Sequence, residues 1–150
     1  MVRIIVSVVI YAMSLVGNAQ SNNHSDMMVN EENGHNISIE IKKLSSDQGK
    51  IYFGLYDSQI NFSSRKALIR TNARIINGEV KVVFENLEPG TYAVTCFHDA
   101  NDNGKMDFEN SGMPIEDYGM TNNVMSFGPP QFTDGKFELS DKDLTFEIKL

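Results

Sequence analysis

NLEPGTYAVTCF, residues 86–97, sets a turn dipeptide directly ahead of an alternating run. Pro89 presets the φ of the first turn position and Gly90 tolerates a positive φ at the second, so the chain should reverse here. Tyr92, Val94 and Cys96 then fall two apart, the spacing of side chains that share one face of a strand. A turn that delivers the chain straight into a strand is the unit from which antiparallel sheets are built.

The same unit recurs on both sides. Toward the amino terminus, Asn77-Gly78 separates Ala73–Ile76 from the run Glu79–Phe84. Asn-Gly favours the two positive φ angles of a tight hairpin, so residues 66–86 read as a hairpin. Ile51, Phe53 and Leu55 alternate after a turn at Asp47–Gly49, and Ile37, Ile39 and Ile41 alternate with Ser38, Glu40 and Lys42. Toward the carboxyl terminus, Asp134-Gly135 opens Lys136–Leu139, and a last run alternates Leu144, Phe146, Ile148 and Leu150. Leu55–Leu68 has the weakest pattern and leaves room for one helical turn. About seven short strands punctuated by turns predict an all-β fold, an antiparallel β-sandwich of immunoglobulin-like type. One long loop, from Asp99 to about Phe132, interrupts it; a connection of that length in a compact domain needs something to hold it.

The first residues place Arg3 before an apolar run, Ile4–Val16, followed by small residues at Gly17 and Ala19. This is the pattern of a secretory signal peptide, with cleavage expected after Ala19. The run is short for a membrane span, and no second one follows. Residues 20–35, QSNNHSDMMVNEENGH, are polar and aperiodic and read as a flexible leader, leaving 36–150 as one sandwich domain. The expected product is exported, to a periplasm or the cell exterior, with no membrane attachment after cleavage. The whole chain carries 13 basic and 20 acidic residues. Loss of Arg3 takes the charge from −7 to 12 − 20 = −8. Such a surface disfavours nucleic acid and anionic membrane and favours cations. The single cysteine, Cys96, allows no intramolecular disulfide and sits in a strand pattern that reads as buried and inert.

The entrance of the long loop carries the chemistry. HDANDNGKMDFE, residues 98–109, fits the calcium-loop template D-x-[DN]-x-[DN]-G at Asp99, Asn101, Asn103 and Gly104. Alternate oxygen-bearing side chains point inward, and glycine at the sixth position permits the bend. Lys105 falls at the seventh position, which donates a backbone carbonyl, and Asp107 at the ninth. The twelfth position, a bidentate glutamate in the template, is Asn110; Glu109 comes one place early, and Glu116 or Asp117 would have to fold back to close the shell. That departure, with no helix on either side, argues against a helix-loop-helix sensor and for a calcium clip in a β frame. Three carboxylates with neutral amides place the affinity at the weak, extracellular end, on the order of 10⁻⁴–10⁻³ M. Magnesium fits less well, because it prefers a tight octahedron with several waters.

Two other chemistries share these residues. A metal-dependent hydrolase or carbohydrate-active enzyme would use His98, Asp102, Asp107 and Glu116 around the same loop. A carbohydrate or protein ligand module would use Tyr118, Met120 and Phe127 from YGMTNNVMSFGPP, residues 118–130, a stretch that also reads as a lid over the core. His98 lies two residues from Cys96 on one strand face, too far for a nucleophilic pair, and reads as a brace for the loop.

Three segments, NLEPGTYAVTCFHDANDNGKMD, GMPIEDYGMTNN and FGPPQF, resemble the bacterial domain of unknown function family 2141 over about Ile37–Leu150. The motifs that carry the resemblance are L-x-P-G-x-Y-A-V, H-D-x-N-x-N-G-x-x-D and G-x-P-x-E-x-Y-G. It implies a small exported bacterial β-sandwich without an assigned activity. The L-E-P-G-T-Y turn is also similar to that of prealbumin-like and carboxypeptidase-regulatory-like surface domains, and related modules carry D-x-N-x-(N/D)-G calcium loops. By that similarity Asp99, Asn101, Asn103, Asp107 and Glu116 are carried over as ligands, and no catalytic residue is implied.

Overall fold

The computed structural model describes residues 34–124 and 129–150. The expected signal peptide, most of the leader and Phe127 lie outside them. Among the described residues eight strands form: β1 His35–Ile41, β2 Lys50–Tyr56, β3 Ile69–Arg74, β4 Val80–Leu87, β5 Gly90–Asp99, β6 Tyr118–Met120, β7 Phe137–Leu139 and β8 Leu144–Glu147. Two short α-helices, α1 Gln59–Ser63 and α2 Phe132–Gly135, and a 3-10 turn at Thr121–Asn123 interrupt them. One sheet has the order β4-β1-β8 and the other β3-β2-β5-β6, with β7 pairing to β5. The fold is a β-sandwich, as the alternation predicts.

The core is the set of residues that the period-two pattern selects. Ile37, Ile39 and Ile41 face Ile51, Phe53, Leu55, Val94 and Cys96 across the gap, all buried. Each such side chain contributes roughly 1.5–3 kcal/mol of hydrophobic stabilisation. Tyr92 closes one end: its hydroxyl donates to the Glu88 carbonyl at 2.9 Å, four residues back, tying the turn to the strand it feeds. This is a tyrosine corner. Burial raises the Tyr92 pKa above its ordinary value.

Several details differ from the sequence pattern. The Asn77-Gly78 turn forms with both φ angles positive, 54° and 73°. Its arms, however, part into different sheets, and only Ile76 and Glu79 pair across it. Residues 66–86 are therefore a corner between sheets and not a hairpin. Asp47 explains why the corner holds, since its carboxylate accepts the N–H groups of both Asn77 and Gly78, at 3.0 and 2.8 Å. Gly90 does not take a positive φ; it starts β5 and lies against the Tyr92 ring. β8 runs parallel to β1 while β4 runs antiparallel on its other side. β1 begins at His35, one residue into the expected leader, because Asn36 is anchored by its N–H to Asp143 and by its side-chain oxygen to the Asn86 N–H. The helical turn allowed for in Leu55–Leu68 is α1, capped by the Ser58 hydroxyl.

The long connection is partly ordered into sheet. β6, only three residues long, adds to β5 through Thr95↔Met120, Cys96↔Gly119 and Phe97↔Tyr118. Three residues are too few to show a period, so the sequence pattern hides it. Beyond β6, Met120, Thr121 and Phe132 are buried, and Phe62 of α1 meets both Tyr56 and Phe132, with ring centroids 5.0 and 6.1 Å apart. The described part of residues 118–132 thus acts as a cover, on the outer face of the larger sheet rather than over the main core.

Candidate functional site

The site grows from the end of β5. Pairing of Lys50 with Asp99 ends the β2–β5 ladder, and beyond it the chain turns back on itself. Asp99 directs that turn. Its carboxylate accepts the N–H of Asn103 (3.0 Å) on one oxygen and that of Gly104 (2.7 Å) on the other, and the residue is fully buried. The Asn101 side-chain oxygen accepts the Asn103 N–H at 3.1 Å, and that of Asn103 accepts the Lys105 N–H at 2.8 Å. Asp102 and Gly104 both sit at positive φ, 56° and 77°, so the glycine at the sixth position meets the bend the template assigns to it.

The second half of the loop folds over the first. Phe108 bridges Pro114, the Ile115 N–H donates to the Asp107 carbonyl (2.9 Å) and the Glu109 N–H to the Met113 carbonyl (2.8 Å), making a small hairpin. That hairpin returns Glu116 to the loop entrance. Its two oxygens accept the N–H groups of Ala100 and Asp107, each at 3.2 Å, so one carboxylate staples the two arms together. Among Glu109, Glu116 and Asp117, Glu116 is the residue that folds back. Glu109 accepts from the Ser111 hydroxyl, and Asp117 contributes its carbonyl to the His98 N–H. Asp107 sits between the arms, one oxygen accepting the side-chain N–H groups of both Asn101 and Asn103 at 2.8 Å.

The structure thus brings Asp99, Asn101, Asn103, Asp107 and Glu116 into one hydrogen-bonded network, with Lys105 joined through its backbone. Among the described residues no three His, Cys, Asp or Glu side chains converge as a metal-ligand group; the oxygens that crowd together here mix carboxylates with neutral amides. Beside the network lies an open cleft of about 450 Å³, lined by His98, Asn101, Asp107, Phe108, Ile115 and Glu116 among others.

Of the residues proposed for a hydrolase, His98, Asp107 and Glu116 line this cleft and Asp102 does not. Asp102 leaves the cleft to pair with Lys50 at 2.8 Å. His98 lies on the inner face of β5, with Nε2 bonded to the Gln48 carbonyl at 2.7 Å. Cys96 Sγ faces the Gly119 carbonyl at 3.7 Å and not His98. Burial pushes the Cys96 thiol up from 9.0 to about 12, so it stays protonated and inert at neutral pH. Tyr118 is exposed while Met120 is buried, so these two do not form one exposed cluster.

Two supports were not legible in the sequence. The turn before β2 holds the loop's exit strand: Gln48 bonds His98, and Gly49 (φ 73°) lies so close to the Asp99 carbonyl that no side chain fits. Lys50 then ties down Asp102. Only the turn itself is written in Asp47–Gly49; its contact with Asp99 is a product of the β2–β5 register.

No curated protein and no solved structure matches the chain significantly. Residues 39–147 match the family described as "Uncharacterized protein conserved in bacteria (DUF2141)". That span runs from β1 to the end of β8 and includes the whole 99–117 loop. The chain belongs to this bacterial family.

Proposed function

We propose that the protein is an exported, non-enzymatic β-sandwich whose 99–117 loop binds a calcium ion, and that the ion fixes a binding or structural surface. The observation that carries this reading is Asp99: a fully buried carboxylate whose partners are two backbone N–H groups, with no cationic side chain paired to it among the described residues. A buried, uncompensated charge costs several kcal/mol, and a divalent cation offsets that cost. Asp99, Asp107 and Glu116 supply three negative charges, and the Asn101 and Asn103 amides and the Lys105 carbonyl supply neutral oxygens. Calcium accepts such a mixed, irregular set of six to eight oxygens.

Both amides now turn nitrogen toward Asp107. A half-turn of each side chain brings oxygen to the same place without moving the backbone, at the cost of the bonds those oxygens accept from Asn103 and Lys105. That cost agrees with a weak site. At about 10 mM calcium, an affinity on the order of 10⁻⁴–10⁻³ M stabilises the folded state by roughly 1.4–2.7 kcal/mol. The melting temperature should rise by roughly 5–10 °C relative to chelator, and by less with magnesium. Identical melting curves in the three conditions refute the site; Asp107→Asn should abolish the calcium-specific gain.

Export rests on Arg3, the Ile4–Val16 run and the small residues at Gly17 and Ala19. Expression of the full chain in a bacterial host should yield a product outside the cytoplasm that begins at Gln20. A cytoplasmic product retaining Met1 would contradict it.

A further inference from the structure

Two Asn-Gly steps lie wholly within the described residues, Asn77-Gly78 at the corner between the sheets and Asn103-Gly104 in the loop. Both are held in the same way, by one aspartate carboxylate that straddles two consecutive N–H groups. Asp47 accepts from Asn77 on one oxygen at 3.0 Å and from Gly78 on the other at 2.8 Å. Asp99 accepts from Asn103 at 3.0 Å and from Gly104 at 2.7 Å, again on separate oxygens. Asparagine is a thermolabile residue, and a following glycine has no Cβ to shield its amide nitrogen.

That nitrogen is the nucleophile of one reaction. Once its proton has passed to a base in the solvent, it bonds to Cγ of the preceding asparagine; the Cγ–Nδ2 bond breaks and ammonia leaves, giving a cyclic imide. Water then opens the imide at either carbonyl, leaving an aspartyl residue or an isoaspartyl one in which the chain runs through the side chain. The net change is amide and water to acid and ammonia. The clamp opposes the first step twice. Removing the proton from an N–H that donates to a carboxylate leaves two negative centres 2.7–2.8 Å apart. Ring closure also rotates the peptide that carries this nitrogen, so its charge-assisted bond has to break.

The two steps differ in what else restrains them. The Asn103 side chain accepts from the Lys105 N–H and donates to Asp107, both at 2.8 Å, and its clamp, Asp99, is fully buried. Asn77 and Asp47 are both exposed, and the Asn77 side chain has no hydrogen-bond partner among the described residues. We propose that Asn77 is a site of spontaneous deamidation whose rate is set by the Asp47 carboxylate, and that Asp99 keeps the same reaction shut at Asn103. Conversion at position 77 adds a negative charge to the residue whose N–H Asp47 accepts. The Gly78 carbonyl at this corner also holds the Leu44 N–H at 3.0 Å. An ageing chain therefore turns more acidic and loosens first between the sheets.

Incubation of the purified protein at mildly alkaline pH in heavy-oxygen water, in chelator so that no bound cation contributes, tests this, with peptide mapping to read label uptake at each asparagine. In the native chain position 77 should convert about tenfold more slowly than in the same chain unfolded in urea, and position 103 more slowly than 77. Asp47→Ala should accelerate conversion at 77 about tenfold and leave 103 unchanged, and Asp99→Ala should do the reverse. Asp47→Asn keeps an accepting oxygen without the charge, so the corner still forms and the rate at 77 should fall between those of the native chain and Asp47→Ala. Melting curves set an incubation temperature at which every variant is folded. A native rate at 77 equal to that in urea, a rate at 77 indifferent to both Asp47 changes, or acceleration of 77 and 103 together by Asp47→Asn overturns the proposal.

Discussion

Replacing Asp99 by alanine is expected to destabilise the fold by about 2–4 kcal/mol in chelator, measured by urea unfolding, and by more in calcium. The lower figure rests on two hydrogen bonds to a charged acceptor, each contributing roughly 1.5–3 kcal/mol. Removing the carboxylate also relieves its burial in the absence of a cation, and that relief keeps the loss below the simple sum. In calcium no such relief exists, because the ion already compensates the charge, and the binding free energy is lost as well. Hydrogen exchange at the Asn103 and Gly104 amides should accelerate in step, since these are the donors set free. A loss under about 1 kcal/mol would mean that the turn stands without Asp99. A loss equal with and without calcium would remove the ion from the account.

The β-sandwich was legible because its core residues obey one rule. Ile37, Ile39, Ile41, Ile51, Phe53 and Leu55 alternate without a break, and all are buried. What escaped were features that alternation does not encode. Asn77-Gly78 specifies a local turn; whether its arms stay together depends on Asp47, 30 residues away in sequence, and on which sheet each strand joins, β3 pairing with β2 and β4 with β1. The parallel pairing of β1 with β8 is likewise a matter of topology, since a period of two is the same for either direction.

In the loop, the spacing of Asp99, Asn101, Asn103 and Gly104 was readable because each position answers to a local backbone N–H or a local φ. Glu116 was readable only as one of three acids, with Glu109 and Asp117, placed to close the loop. Its selection follows from the Phe108–Pro114 bridge, which sets the length of the returning arm. The stacking of Tyr52 on Phe97, with ring centroids 5.3 Å apart, was invisible for a related reason: the two rings come from different strands and meet only through register.

Gly49→Ala should be the most damaging single change outside the core, costing about 2–5 kcal/mol in urea unfolding. A left-handed backbone costs a residue with a Cβ roughly 1–2 kcal/mol, and Gly49 holds φ at 73°. The new methyl would also overlap the Asp99 carbonyl oxygen, with Ala100 Cα 2.9 Å away. Backbone cannot swing aside as a flexible side chain does, so the overlap adds roughly 1–3 kcal/mol of overpacking. Two other glycines separate these contributions. Gly112→Ala adds the same kind of strain (φ 84°) in open space, and Gly78→Ala adds it (φ 73°) with the Leu44 carbonyl oxygen 3.0 Å away. The expected order of damage is Gly49 above Gly78 above Gly112. Because the clash falls on Asp99 and Ala100, where the loop leaves β5, Gly49→Ala should also weaken calcium stabilisation, whereas Gly78→Ala, at a corner that touches no loop ligand, should leave it intact. Equal calcium responses in the two variants would show that the 47–49 turn supports the sheet without setting the geometry of the loop.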